Sequence, residues 1–162
     1  MKLILGADHA GFGLKDALKQ SLILSGHDVV DVGADEFDEA DDYPDFVAPM
    51  VEELTKGNPS EPEGLPFGGE VMGIFCAGSG EGEAIALNRH KGIRATVYYH
   101  HDPQILRLTR EHNNSNVLCI GTRFVSAEDA KEAVEMWLSI PFDPTSRHAR
   151  RLAKIDNLIP ST

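Results

Sequence analysis

Ile74-Phe75-Cys76-Ala77-Gly78-Ser79-Gly80-Glu81-Gly82-Glu83-Ala84-Ile85 is the stretch whose reading decides the fold. An apolar, β-prone run ends in small residues and glycines, then opens into a helical pattern. A strand turning this tightly into a helix is the repeating unit of parallel α/β sheets. The same turn aims backbone N–H groups and the positive end of a helix dipole at one point, which suits an anion. The anion is either a phosphate or an oxyanion formed during a reaction. Ser79 adds a hydroxyl there, and Glu83, one turn into the helix, adds a carboxylate.

Working outward, strand and helix patterns alternate along the whole chain. Lys2–Ala7 reads as a buried strand and Gly13–Ser25 as a helix with Leu14, Ala17, Leu18, Ser21 and Leu24 on one face, stopped by Gly26. Asp28–Val32 is a second strand. Pro44 opens a helix carrying Phe46, Val47, Met50, Val51 and Leu54. Val71–Cys76 is the third strand, with Gly80–His90 its helix; Arg94–Tyr99 is the fourth, with Asp102–Glu111 its helix; Asn116–Ile120 is the fifth. Ser126-Ala-Glu-Asp129 is a capping-box pattern before a helix bearing Ala130, Ala133, Val134, Trp137 and Leu138. A last helix covers Ser146–Asn157. This alternation predicts an α/β, three-layer Rossmann-like fold: a five-stranded parallel sheet with helices on both faces. Ligands of such sheets bind beyond the strand carboxyl ends, where strand order reverses. Residues Gly57–Glu70, with three prolines and four glycines, read as a surface loop.

Composition narrows the class. At 162 residues the chain suits one domain spanning 1–162. No apolar run is long enough to cross a bilayer, and Met1-Lys2-Leu3-Ile4-Leu5 leads straight into Gly6 and Asp8 without a signal-peptide pattern. Cys76 and Cys119 lack paired spacing, so neither a disulfide scaffold nor a zinc site is expected, and a cytoplasmic location is. The net charge is −11; residues 1–70 carry 16 acids against 4 Lys/Arg. A nucleic-acid partner is disfavoured because no broad basic face exists to release counterions. An anionic small molecule requires only that a few arginines converge.

Several site motifs fail on spacing. Gly78 and Gly80 are followed by Glu83 rather than a third glycine, and the turn follows the third strand, so no dinucleotide fingerprint is present. No Walker lysine exists. A cysteine phosphatase would place arginine six residues after Cys76, where Gly82 stands, so Cys76 reads as a buried strand residue. Glu83 either stabilises the helix start or serves as a general base; a base needs its pKa raised, so burial must oppose the dipole. Asp8 either caps the turn after the first strand or takes part in chemistry. His112-Asn113-Asn114 is either an Asn-terminated helix end or a polar site triplet. Arg147 and Arg151, four apart on the last helix, form either a solvated stripe or a phosphate clamp.

Six motifs in order resemble the ribose-5-phosphate isomerase B family, which includes galactose-6-phosphate isomerase subunits. They are Gly6-Ala-Asp-His-Ala-Gly11, Asp42-Tyr-Pro44, Gly78-Ser-Gly80, Asn88 with Gly92-Ile-Arg94, Arg110-Glu-His-Asn-Asn114 through Gly121-Thr-Arg123, and Arg147-His148. The resemblance runs from Lys2 to about Asp156. It implies an aldose–ketose isomerase interconverting D-ribose 5-phosphate and D-ribulose 5-phosphate through ring opening and a cis-enediolate. It implies that Asp8 and His112 open the ring, that Ser79 belongs to an anion hole with the amides of Gly78, Gly80 and Gly82, and that Tyr43 lines the site. His9, Arg123, Arg147 and Arg151 are implied as phosphate ligands and Asn113 as a partner of sugar hydroxyls. No metal or other cofactor is implied, and the expected assembly is a homodimer or dimer of dimers with sites shared between subunits. Many members carry the proton-transferring base as a cysteine immediately before Gly-Thr/Ser-Gly. Here that place is Ala77, and a one-residue step along a strand turns Cys76 to the other face. A second branch uses a glutamate four positions after the Ser/Thr, which is Glu83 here. The alternatives are an isomerase of another sugar phosphate (an allose or galactose 6-phosphate, or a tetrulose 4-phosphate) and a non-catalytic phosphosugar-binding regulator. Gly57–Glu70 is longer than the family leads one to expect.

Overall fold

The computed structural model describes residues 1–56, 71–100 and 102–158. The Gly57–Glu70 loop and His101 lie outside the described residues. In chain order the elements are β1 (Lys2–Ala7), α1 (Phe12–Leu24), β2 (Asp28–Asp31), α2 (Pro44–Lys56), β3 (Val71–Ala77), α3 (Glu81–Leu87), β4 (Ala95–Tyr98), α4 (Pro103–Glu111), β5 (Val117–Gly121), α5 (Ala127–Ser139) and α6 (Arg147–Asp156). All five strands pair in parallel, in the order β2-β1-β3-β5-β4. The expected layered architecture is therefore present, with each boundary within a few residues of its reading.

Strand order follows from right-handed crossovers. β1 connects through α1 to β2 on one side, whereas β2 returns past β1 through α2 to β3 on the other. The two connections put α1 and α2 on opposite faces. Side-chain alternation along β3 then feeds two separate cores. Ile74 and Cys76 join Leu18, Leu22, Leu106, Ala130 and Trp137 beneath α1, α4 and α5. Phe75 and Ala77 join Met50, Leu54, Ala84 and Leu87 beneath α2 and α3.

Two local details depart from the sequence reading. Leu24 is 88% exposed, and the buried stripe of α1 is Lys15, Leu18 and Leu22. Lys15 sits there because its ammonium meets both Asp31 oxygens at 3.0 and 2.9 Å and the Ala34 carbonyl at 2.8 Å. A buried cation is tolerated once its charge and donors are satisfied. The helix periodicity thus points one position away from the expected face, because a charged residue occupies a core position.

The segment before β5 is held by polar bonds. Asn114 adopts φ +42°, as an Asn-terminated helix end requires, and its N–H donates to the Arg110 carbonyl. The buried Arg110 guanidinium donates to Asn114 Oδ1 at 2.9 Å, to the Ser115 carbonyl and to the Ile140 carbonyl. It also lies over the Trp137 ring, whose Nε1–H donates to Ser115 Oγ. Burial pulls the Arg110 pKa down to about 10, with Arg94 adding repulsion. Arg110→Ala strands these acceptors, so it should cost about 3 kcal/mol in urea unfolding.

Candidate active site

β1 and β3 lie side by side while their connections leave in opposite directions, so a crevice opens beyond their carboxyl ends. Four loops build its walls. Thr122 Oγ1 donates to the Ala10 carbonyl at 3.0 Å and the Thr122 N–H to the Ala77 carbonyl at 2.8 Å, tying the turns after β1, β3 and β5 together. A Cβ on Gly11 would overlap the Cys76 backbone, so only glycine lets the β1 turn lie this close to β3.

Asp8 is buried, and its Oδ1 accepts from the Gly11 N–H at 3.1 Å. Glu83 is 5% exposed at the start of α3. Burial pushes its pKa up, the Asp8 charge pushes the same way, and its own backbone N–H opposes them. Burial therefore outweighs the local backbone donor, as a general base requires. Gly80 enters the helix at φ +80°, a left-handed conformation that favours glycine, and Ser79 Oγ accepts weakly from the Glu81 N–H at 3.4 Å. A Cβ on Gly78 would come within 3.0 Å of the Arg123 guanidinium carbon, and one on Gly82 within 2.9 Å of the Tyr43 ring. Both side chains thus rest directly on the glycine turn. His9 stands at the rim, with Nδ1 2.6 Å from Asp41 Oδ1.

Cys76 is fully buried in the α1 face, and burial pushes its thiol far above the ordinary range. Ala77 and Ala84 share the opposite face with α2 and α3. The thiol and the Glu83 carboxylate accordingly belong to different sides of the sheet.

The remaining site residues do not join this cluster within one chain. Asp8, Glu83 and Arg123 follow strands, whereas His112 and Asn113 precede β5 and so lie at its amino end. Val117–Gly121 alone separates the two ends by about 13 Å. Within a single chain Asp8 and His112 therefore lie at opposite ends of the sheet. His112 stacks on His148, with ring centroids 4.1 Å apart and planes at 9°. Burial lowers the His148 pKa, and His112, Arg147 and Arg151 add to the shift, so both arginines are electrostatically close to this ring pair. Both guanidiniums are exposed. Asn113 lines a cavity of about 290 Å³ with Arg94, Leu152 and Ile155. One chain thus gathers the candidate residues into two clusters at opposite ends of its sheet: carboxylates, glycine turn, His9, Tyr43 and Arg123 at one, His112, Asn113, Arg147 and Arg151 at the other.

Asp41 was not singled out by sequence. It is one of six acids between Asp35 and Asp42, and only its pairing with His9, 32 residues away, distinguishes it.

A family model described as Ribose/Galactose Isomerase matches residues 3–155. Ribose-5-phosphate isomerase B of Mycobacterium tuberculosis is 35% identical over 152 residues, covering 94% of this chain and 86% of that protein. D-erythrulose-4-phosphate isomerase 2 of Mycolicibacterium smegmatis is 33% identical over 157 residues, 96% of this chain and 95% of that one. Among solved structures, ribose-5-phosphate isomerase B from Mycoplasma genitalium with bound ribulose 5-phosphate superposes with a TM-score of 0.86 at 31% identity, covering 99% of this chain and 97% of that one. With the motifs, the sheet order and the crevice in agreement, the chain belongs to the ribose/galactose isomerase family.

Proposed function

We propose that this chain is an aldose–ketose isomerase that interconverts D-ribose 5-phosphate and D-ribulose 5-phosphate, with Glu83 as the base. The observation that carries the reading is a buried carboxylate with a raised pKa beside a glycine turn, in the crevice where ligands of such sheets bind. With the chain open, Glu83 takes the C2 proton. The C–H electron pair becomes the C1=C2 double bond, and the C1 carbonyl pair moves onto O1. The O2 hydroxyl proton passes to O1, and as the O2 electrons form the new carbonyl the C1=C2 pair takes the proton back from the same carboxylic acid at C1. Ser79 and the amides of residues 78–82 stabilise the enediolate oxygen, where preorganised donors are worth most. Asp8 and His112 open the furanose ring, with His112 exchanging a proton at the ring oxygen.

A homodimer or dimer of dimers completes the site. His112 and Asn113 reach the sugar from the neighbouring subunit, because their separation from Glu83 within one chain exceeds a side chain's reach. His9, Arg123, Arg147 and Arg151 bind the phosphate, and Tyr43 lines the pocket. A small-metabolite enzyme with two buried free cysteines fits a cytoplasmic setting.

Erythrulose 4-phosphate is a second candidate substrate, given the activity named for the Mycolicibacterium relative. A panel of ribose 5-phosphate, allose 6-phosphate and erythrulose 4-phosphate in deuterated water separates the readings. The highest kcat/KM with ribose 5-phosphate, with solvent deuterium entering at C2, is the expected result. Phosphosugar binding without exchange would leave a regulator instead. Gly78→Ala gives a further check, since its methyl displaces only the flexible end of Arg123. Thermal unfolding should stay within about 0.5 kcal/mol of wild type. The KM for phosphosugar should rise roughly tenfold through loss of a charge-assisted contact.

A further inference from the structure

We propose that Asp41 is a positioning residue of the anion site, holding the His9 ring by Nδ1 so that an Nε2–H faces outward as a charged donor to the substrate phosphate. The inference rests on the reading of His9 as a phosphate ligand.

Asp41 grips His9 twice through one oxygen. Oδ1 accepts from the His9 backbone N–H at 3.1 Å and lies 2.6 Å from Nδ1. The Asp41 side chain is 10% exposed, whereas that of His9 is 30% exposed, so the acid is the inner partner and the ring the outer one. Phe37, from the same β2–α2 loop, meets the imidazole edge-on at 6.4 Å and packs on Phe12 at 6.3 Å. The loop thus fixes the ring plane as well as one nitrogen. Among the described residues no group bonds Nε2.

A merely structural role explains only part of this arrangement. Tying the loop to the β1 turn needs an acceptor for the His9 N–H, which asparagine supplies as well as aspartate. The acid costs more to bury than the neutral amide would, because the carboxylate carries charge and its Oδ2 is buried without a partner among the described residues. A buried carboxylate is offset when it stabilises a nearby cation, and among the described residues the one ionisable group that the Asp41 side chain bonds is the imidazole. The charges facing His9 agree: Asp8 from the β1 turn, and Glu39 and Asp41 from the loop, are all anionic. The hydrogen bond to Asp41 leads in raising the His9 pKa, partly opposed by desolvation. A raised pKa keeps the ring protonated to higher pH, and the protonated ring presents a charged N–H to a phosphate that a neutral tautomer would meet less strongly.

The test pairs a ligand-free measurement with kinetics on the full chain. NMR titration of the His9 Cε1–H is compared in wild type, Asp41→Asn and the urea-unfolded chain. KM and kcat for ribose 5-phosphate are followed between about pH 6 and pH 8.5 for wild type, Asp41→Asn, His9→Gln and the double variant, a range spanning the imidazole titration. The substrate phosphate titrates identically with every variant, so ratios between proteins isolate His9. Asp41→Asn should move the His9 midpoint down. It should also raise KM roughly five- to tenfold near pH 8, with the difference closing near pH 6 and kcat within about twofold. In the His9→Gln background it should do nothing further. An unmoved His9 midpoint, a pH-independent rise in KM, or a further loss in the His9→Gln background overturns the proposal. Should Asp41→Asn fail to fold, a wild-type His9 titrating at or below the unfolded chain's value overturns it without any variant. If the midpoint moves but His9→Gln leaves KM unchanged at every pH, the phosphate-ligand reading fails instead, and the proposal with it.

Discussion

Glu83→Gln is expected to lower kcat for ribose 5-phosphate by about a thousandfold or more, the upper part of the range for losing a positioned general base. Phosphosugar binding, read by inhibition with a non-isomerisable analogue or by calorimetry, should remain within a few-fold, because glutamine keeps the shape of the side chain. Exchange of the C2 proton with solvent should vanish in parallel with turnover. Cys76→Ala is the companion control. Its thiol is buried in the opposite core and is held protonated far above neutrality, so kcat should stay within about twofold while stability falls by about 1 kcal/mol. A folded Cys76→Ala protein without activity would overturn the glutamate assignment.

The same substitution has a stability signature of opposite sign. The folded-state pKa of Glu83 is raised by burial and by Asp8 above its unfolded value. A carboxyl so raised favours the folded state only while protonated, and that contribution is lost as pH rises through the folded pKa. Above that folded pKa the wild type carries an ionised, buried Glu83 at a cost, and there Glu83→Gln should melt higher. Below about pH 4, where the unfolded carboxyl is also protonated, the two proteins should converge. An inactive yet more stable variant is hard to explain by misfolding and matches a carboxylate retained for chemistry.

The second large effect concerns the two clusters. His112→Asn and Glu83→Gln should each abolish most turnover of ring-closed substrate, yet mixtures refolded together should regain activity. In a hybrid dimer one composite site carries both substitutions and the other carries neither. Random pairing makes half of the dimers hybrids, so an equimolar mixture should recover about a quarter of wild-type activity. Mixtures as inactive as their parents would mean that Glu83 and His112 act within one chain. That outcome would demand a path between opposite ends of the same sheet.

Much of this was legible in the sequence because it rests on short-range periodicity. The alternation of strands and helices needs only neighbouring side chains, and so does the opposite facing of Cys76 and Ala77. The Ser126 and Asp102 helix starts follow likewise from local capping, with Ser126 Oγ accepting from the Asp129 N–H and Asp102 accepting from the Gln104 N–H. The buried face of α1 was misplaced for an equally physical reason. Lys15 looks like a surface residue until Asp31 and the Ala34 carbonyl are brought to its ammonium. Asn88 and Asn116 stood out, or passed unnoticed, without their work being visible. Asn88 brackets Ala95 by both its N–H and carbonyl, and Asn116 bonds Arg94 and Gly92 across more than twenty residues.

By itself the sequence determined the parallel layered fold, the glycine turn with Glu83 at its lip, and the placement of the thiol away from it. Each of these depends on residues within a turn or two of one another. Tertiary structure alone decided which strands adjoin, and with that the crevice between β1 and β3, the capture of His9 by Asp41, and the separation of His112 from Glu83. Those relations join segments 29 or more residues apart whose encounter is set by strand order and crossover hand, properties of the assembled sheet rather than of any local stretch.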